Sequence, residues 1–305
     1  MNEKVGKAIL RIKEARKIAG QMGNDLVLAY SGGKDSDVLL DLAVKSGIPF
    51  VVQHNHTTAD APETVYHIRT VFAEMNARGI TASINWPLNI HTVDGRVARA
   101  SMWNLIPKKQ MPPTRTARYC CRYFKERNFD GQHLLMGVRW AESPKRKTRG
   151  LHEELSADAE TRVVYCDEND DRHKLMDFCH LRSRVATNPI IDWTDADVWC
   201  YIKEYRLKIN PLYAFGFRRV GCVGCPLAGG KGQQFGFQLY PKYRAAYIKA
   251  FDRMLEYRDG NGHTRTRQWA DGATTLEWWT QNLPPDYAEE MKQISFFDNE
   301  MGDDF

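Results

Sequence analysis

Apolar positions recur along the chain with two periods, and the alternation between them sets out the architecture. Val5, Ala8, Ile9, Ile12, Ala15 and Ile18 fall at helical spacing with Lys and Arg between them, predicting an amphipathic helix over residues 3–20 whose basic face is solvated. Leu26-Val27-Leu28-Ala29-Tyr30 is a short continuous apolar run, the pattern of a buried parallel strand, and Val38-Leu39-Leu40-Asp41-Leu42-Ala43 returns to the helical pattern. Ile48 to Val52 predicts a second strand, and Pro62 suits the first turn of a helix from Glu63 to Arg78. Ile80 to Ile84 predicts a third strand, after which regularity fades from Trp86 to Pro113. His133 to Val138 reads as the next strand, and the polar tract 151–174 as a mobile surface insertion. Thr194 with Asp197 three residues on forms a capping-box pattern for a helix to about Tyr205, a structural element, and Asn210 to Tyr213 ends it in a turn. A further amphipathic helix covers about 241–257. The segment beyond it carries Trp269, Trp278 and Trp279 and reads as helical packing with a frayed end.

Strands alternating with helices predict an α/β fold with a doubly wound, mostly parallel sheet and helices on both faces, followed by a helical C-terminal extension. The expected division is a nucleotide-binding domain over 1–240 and the extension over 241–305. Composition narrows the class. The 305 residues are 43% hydrophobic and 27% charged, ordinary for a globular chain, and no apolar run approaches a membrane span. The N-terminus Met-Asn-Glu-Lys lacks the apolar core of a signal peptide, which predicts a cytoplasmic protein. Seven cysteines argue for thiol or metal chemistry rather than a disulfide framework, and a net charge of +5 suits anionic substrates without establishing nucleic-acid binding.

The first candidate chemistry lies at the junction of the first strand and its helix, in Ser31-Gly32-Gly33-Lys34-Asp35-Ser36. A strand that ends in small residues and opens a helix aims backbone N–H groups and the positive end of the helix dipole at one spot, which suits phosphate. Gly32 and Gly33 admit an anion without a Cβ in the way, Ser31 and Ser36 offer hydroxyls, and Lys34 adds a point charge. Asp35 would repel phosphate unless a magnesium ion or a donor network intervened. Neither G-x-x-x-x-G-K-[ST] nor G-x-G-x-x-G is present. His54, His56 and Asp60 are close in sequence, but a strand would point the two histidines to opposite faces, against a metal site. Lys108, Lys109, Arg115, Arg118, Arg122, Lys125 and Arg127, with Trp103, Tyr119, Tyr123 and Phe124 among them, could track a nucleic-acid backbone or equally be a solvated or phosphate-binding face.

The second candidate is the cysteines. Cys120-Cys121 adjoin, and Cys222-x-x-Cys225 follows between Gly221 and Gly224. Four thiolates suit a [4Fe–4S] cluster or tetrahedral zinc, and adjacent cysteines fit the wider cluster more easily; free thiols are the third reading. Cys166, Cys179 and Cys200 stand singly and read as buried or inert.

The loop resembles the S-G-G-x-D-S pyrophosphate loop of the N-type ATP pyrophosphatases. With Pro62-Glu63-Thr64, Cys120-Cys121, Gly137-Val138-Arg139, Glu142-Ser143, Arg146, Asn188 to Trp193 and Gly221-Cys222-x-x-Cys225 in order, residues 25–230 resemble the phosphoadenosine phosphosulfate reductase family. The cysteine pattern is similar to its [4Fe–4S] branch, which includes assimilatory adenylyl-sulfate reductases and the DndC/SspD-like proteins of DNA phosphorothioation. The resemblance implies an adenine nucleotide α-hydrolase-like fold. It also implies a nucleotide site of Ser31, Gly32, Gly33, Lys34, Asp35, Ser36, Thr57, Arg139 and Arg146, with Lys34, Asp35 and Arg139 catalytic. Cys120, Cys121, Cys222 and Cys225 would hold a [4Fe–4S] cluster. Sulfonucleotide reductases attack with a cysteine in a C-terminal Glu-Cys-Gly-type motif, and no cysteine follows Cys225. The resemblance then implies an ATP pyrophosphatase that uses ATP and Mg²⁺ to adenylate an acceptor for sulfur insertion. The acceptor in the DNA-modification reading is a backbone phosphate, with a cysteine desulfurase or other sulfur donor as partner. A reductase using an external thiol, and a non-catalytic nucleotide- or DNA-binding subunit, are the alternatives; a homo-oligomer is left open.

Overall fold

The computed structural model describes residues 1–126, 132–155, 164–165, 184–261 and 269–281. In chain order its elements begin with α1 (Asn2–Gln21), β1 (Leu26–Ala29), α2 (Lys34–Ser46), β2 (Val51–Asn55), α3 (Pro62–Ala77) and β3 (Ala82–Asn85). There follow β4 (Asn89–His91), β5 (Val97–Arg99), α4 (Met102–Lys109), α5 (Tyr119–Cys121), β6 (His133–Leu135), β7 (His152–Leu155), β8 (Val164–Tyr165) and β9 (Arg184–Thr187). The last are α6 (Asp195–Glu204), α7 (Gly229–Leu239), α8 (Pro241–Gly260) and α9 (Gly272–Thr280). By proximity the chain divides into two units. Unit 1 comprises 1–56, 61–86 and 126–221; unit 2 comprises 57–60, 87–125 and 222–305. The helical extension expected from 241 thus shares its unit with two earlier segments.

Unit 1 holds a seven-stranded sheet in the order β3-β2-β1-β6-β9-β7-β8. The first five strands run parallel, and β7 and β8 are antiparallel. Alternate residues of β1 serve two faces. Leu26 and Leu28 join the large cluster with Ile12, Leu39, Leu42, Ile68, Phe72 and Trp193 from the surrounding helices and turns, while Val27 packs with Leu134 and Ala186. Burying a side chain such as Ile12, fully inside on α1, contributes about 1.5–3 kcal/mol. From β1 the chain moves to β2 and β3 on one side and later to β6 and β9 on the other. The order reverses at β1, and the crevice beyond its carboxyl end is where such sheets bind ligands.

Two expectations need correction here. The basic face of α1 is not simply solvated, because Arg11 is buried and donates to the Pro189 carbonyl at 2.9 Å and to both oxygens of Asp192. Part of the 151–174 tract is not an insertion at all: β7 and β8 extend the sheet, and Glu153 is fully buried. The rest of that tract lies outside the described residues. The capping box at α6 forms as read, with the Asp197 N–H donating to Thr194 Oγ1 at 3.1 Å and the Thr194 N–H to Asp197 Oδ2 at 2.7 Å.

Unit 2 is built from α4, α7, α8 and α9 with the β4–β5 hairpin. Trp103, Phe237, Tyr247, Phe251 and Trp279 interlock with ring centroids 4.9–6.2 Å apart. Trp279 Nε1 donates to the Pro113 carbonyl at 2.6 Å, and Trp269 and Trp279 are buried core residues while Trp278 is half-buried.

Candidate functional site: a glycine loop and a cysteine group

The loop between β1 and α2 lies at the carboxyl end of β1, where the strand order reverses. Gly32 adopts φ +73°, and a Cβ there would come within 2.9 Å of Ile68. The position therefore excludes any side chain on two counts. Gly137, just past β6, leaves little room for a side chain: a Cβ would meet the Asp35 carbonyl oxygen at 3.1 Å. Ser36 Oγ donates to the Gly33 carbonyl at 2.7 Å and accepts the Gly33 N–H at 3.1 Å, with Ser31 Oγ 3.2 Å away. The N–H groups of the first turn of a helix lack intrahelical partners by geometry. Here the Lys34 N–H finds Tyr213 Oη at 2.9 Å, while those of Asp35 and Ser36 have no partner among the described residues.

Lys34 is buried, with Nζ 3.1 Å from Asp35 Oδ2 and 3.5 Å from Asp195 Oδ1. Arg139 is buried too, and each of its guanidinium nitrogens is engaged. Nε reaches Asp35 Oδ1 at 2.8 Å, Nη1 the Trp193 carbonyl at 3.2 Å, and Nη2 Asp195 Oδ1 at 2.7 Å. Burial disfavours its charge, but Asp35 and Asp195 outweigh that and raise its pKa. The bond from Arg139 in turn lowers the pKa of Asp195. Arg139 is thus a strut that fixes two carboxylates rather than a side chain reaching for phosphate. Arg146 lies farther out, paired with Glu142 Oε1 at 2.5 Å. Burial lowers its pKa, Glu142 opposes this, and Arg219 and Arg149 lower it further. Arg219 and Arg149 thus lie close enough to Arg146 to act on it, while Arg146 pairs with Glu142 and Arg149 with Glu153.

Thr57, expected with the nucleotide residues, falls in unit 2. Its hydroxyl lies 3.2 Å from Cys222 Sγ and its N–H donates to Asp60 Oδ2 at 2.8 Å. Asp60 and Cys222 form a bridge, and the Val223 N–H donates to the Ala59 carbonyl at 2.8 Å. The segment 57–60 therefore holds the start of the C-x-x-C turn. Cys120 and Cys121 sit on the single turn α5, which runs into a π turn over Arg122–Glu126. The four thiols sense one another. A hydrogen bond with Cys121 raises the Cys120 pKa, followed by burial and the fields of Cys121, Cys222 and Cys225. Burial pushes Cys222 up to about 12 against the pull of Lys125, whose own pKa the field of Cys222 raises. A cationic centre would reverse this unfavourable balance by taking the sulfurs as thiolates.

Sequence reasoning missed Asp195, Asn210, Tyr213 and the local role of Lys125. A capping pattern and an Asn-Pro turn carry no chemistry by themselves, and only the fold brings Asp195 and Tyr213 to Lys34. His54 and His56 do not point to opposite faces: residues two apart along a strand share a face, and their rings lie 6.5 Å apart. Of the basic and aromatic stretch, Arg115, Arg118 and Arg122 are exposed, whereas Phe124 is buried and Trp103 packs on Tyr243 and Tyr247. The exposed arginines suit phosphate contact better than the aromatics suit base stacking. Arg127 lies outside the described residues, as do Cys166 and Cys179; Cys200 is exposed, not buried.

Residues 25–228 match the model of the phosphoadenosine phosphosulfate reductase domain. The chain is 46% identical over 47 residues to adenosine 5′-phosphosulfate reductase of Burkholderia cepacia, covering 15% of this chain and 19% of that protein. It is 29% identical over 202 residues to sulfate adenylyltransferase subunit 2 of Mycolicibacterium gilvum, covering 64% and 59%. These first relatives are matched over about a fifth to three fifths of their lengths. A phosphoadenylyl-sulfate reductase from Candida auris, solved as a phosphate complex, is similar with a TM-score of 0.44 and 18% identity over 69% of this chain and 87% of that one.

Proposed function

The chain belongs to the phosphoadenosine phosphosulfate reductase domain family, and we propose that it is an ATP pyrophosphatase that adenylates an acceptor to prepare it for sulfur incorporation. The observation that carries this reading is the loop itself: N–H groups of Asp35 and Ser36 at the start of α2 that have no partner among the described residues, beside the buried Lys34. In the reaction an acceptor oxygen attacks the α-phosphorus, the bond to the bridging oxygen breaks, and pyrophosphate leaves with the released charge. Lys34, Ser31, Ser36 and the glycine backbone hold that leaving group, so their contribution is positional and electrostatic. Arg139 keeps Asp35 and Asp195 oriented, and Arg146 faces the nucleotide phosphates. Asp35 and Asp195 would hold magnesium, which when bound neutralises phosphate oxygens.

The thiols of Cys120, Cys121, Cys222 and Cys225 fit a [4Fe–4S] cluster, as consecutive cysteines on one turn and a C-x-x-C turn whose fields already overlap. When bound it supplies a sulfur or electron relay. Thr57 and Lys125 tune the Cys222 sulfur, one by its hydroxyl and the other by its charge. The exposed Arg115, Arg118 and Arg122 support a polyanionic acceptor such as the DNA backbone. A second reading, reduction of a sulfonucleotide with a thiol from another protein, is favoured by the short match to adenosine 5′-phosphosulfate reductase.

Pyrophosphate release from ATP by anaerobically purified protein, with and without duplex DNA, tests the first reading. Release that Lys34→Ala abolishes and DNA stimulates supports it. No release from protein with its metal intact overturns it, and sulfite formed from adenylyl sulfate on adding a small thiol protein would establish the second.

A further inference from the structure

A loop containing two glycines is useful for anion binding only if something stops its peptide units from turning over. The unit between Gly32 and Gly33 is the critical one. Turned over, it would aim the Gly32 carbonyl oxygen at the anion and break the bond from the Gly33 N–H to Ser36 Oγ, and neither glycine has a Cβ to resist the rotation. In this structure the unit is held at both ends. Its N–H donates to Ser36 Oγ at 3.1 Å, and its carbonyl accepts from Asn210 Nδ2 at 2.9 Å. Ser36 is local, three residues on in the loop's own helix. Asn210 comes from 178 residues away and is fully buried.

The Asn210 side chain is itself over-determined. Its Nδ2 also donates to Thr64 Oγ1 at 3.0 Å, and its Oδ1 accepts the Leu212 N–H at 3.0 Å. Amide orientation follows from these partners, since Oδ1 must face an N–H and Nδ2 a carbonyl. The turn it caps, Pro211–Tyr213, delivers Tyr213 Oη to the Lys34 N–H, the next amide along the loop. One short turn therefore touches the loop on a carbonyl and on an N–H.

We infer that Asn210 is a positioning residue of the anion site, which locks the Gly32–Gly33 peptide in the orientation that keeps its carbonyl away from a bound phosphate. This rests on the nucleotide-loop reading above. Asn210 touches no substrate; it acts through the Gly32 carbonyl. Removing its donor leaves a buried carbonyl without its partner and lets the peptide turn, so the loss falls on anion affinity.

The test is calorimetric titration of the full chain with inorganic pyrophosphate, well below the melting transition, beside the melting temperature of each variant. Asn210→Asp keeps the shape and the acceptor toward Leu212 but faces Gly32 with an oxygen, and Asn210→Ser is a milder change if the first does not fold. Thr64→Val removes the other acceptor of the same amide and spares the Gly32 bond. Expected is a pyrophosphate Kd at least tenfold higher in folded Asn210 variants and within twofold of wild type in Thr64→Val. Combining Asn210→Ser with Ser36→Ala should cost less than the two separate losses multiplied, because both hold one peptide. Unchanged affinity in the Asn210 variants, or an equal loss in Thr64→Val, overturns the inference while leaving the nucleotide reading standing. Wild-type protein that does not bind pyrophosphate overturns both.

Discussion

In unit 1 the charges around the glycine loop are answered by protein: Lys34 and Arg139 sit between Asp35 and Asp195, and the Gly33 and Lys34 N–H groups donate to Ser36 and Tyr213, which leaves those of Asp35 and Ser36 for a ligand. In unit 2 the reverse holds. A hydrogen bond with Cys121, burial and the fields of the neighbouring thiols raise the pKa of Cys120, and burial raises that of Cys222 against Lys125. The first site is organised before any ligand arrives, so a ligand there meets donors already aimed. The second favours neutral thiols, a balance that a cationic group would reverse by taking the sulfurs as thiolates. Preorganisation lowers the cost of binding in one case, and binding itself organises the other.

The comparison can be broken most sharply at the cysteines. Cys222→Ser should abolish bound iron in anaerobically purified protein while leaving inorganic pyrophosphate binding within twofold; iron analysis and calorimetry on the same sample check this. If pyrophosphate binding were lost with the iron, the two regions would not be separate in kind. Lys34→Ala comes next, with pyrophosphate release expected to fall about 10²–10³-fold and iron content unchanged. Arg139→Met removes one of the two cations that Asp35 and Asp195 share, leaving them to Lys34. Because both carboxylates reach solvent, a loss of about 2–3 kcal/mol in urea unfolding is expected, at the lower edge of the range for breaking a buried pair.

The smallest effect concerns pH. Burial works against ionised Asp197, but hydrogen bonds from Lys4 and Thr194 prevail and hold its pKa at about 2. A carboxylate depressed in the folded state stabilises above its ordinary pKa near 4, and that contribution disappears as pH falls toward 2. Asp197→Asn should therefore cost about 0.5–1 kcal/mol at pH 7, through the helix cap and a surface pair, and only a small part of that at pH 2, where the carboxylate is half protonated. Parallel urea titrations at the two pH values measure it.

Much of unit 1 was legible because its signals are local. The apolar run 26–30, the loop glycines and the helical spacing from Val38 each follow from a few adjacent residues, and the fold places them as read. Arg11 was misread because an arginine on an amphipathic helix looks solvated until its partner is known, and Asp192 lies 181 residues away. β7 was misread because its residues are polar. His152 and Glu153 are buried in the sheet against Thr187 and Asn188, which no window around residue 152 contains.

The sequence by itself determined the first strand, the glycine loop that follows it and the helix beyond, since apolar period and glycine placement are short-range properties of a chain. Only the tertiary structure decided who their neighbours are. It made Arg139 a strut rather than a phosphate ligand, moved Thr57 to the cysteines, and brought Asn210 and Tyr213 onto the loop. Those choices depend on burial and on contacts across more than 50 residues, which the folded chain alone supplies.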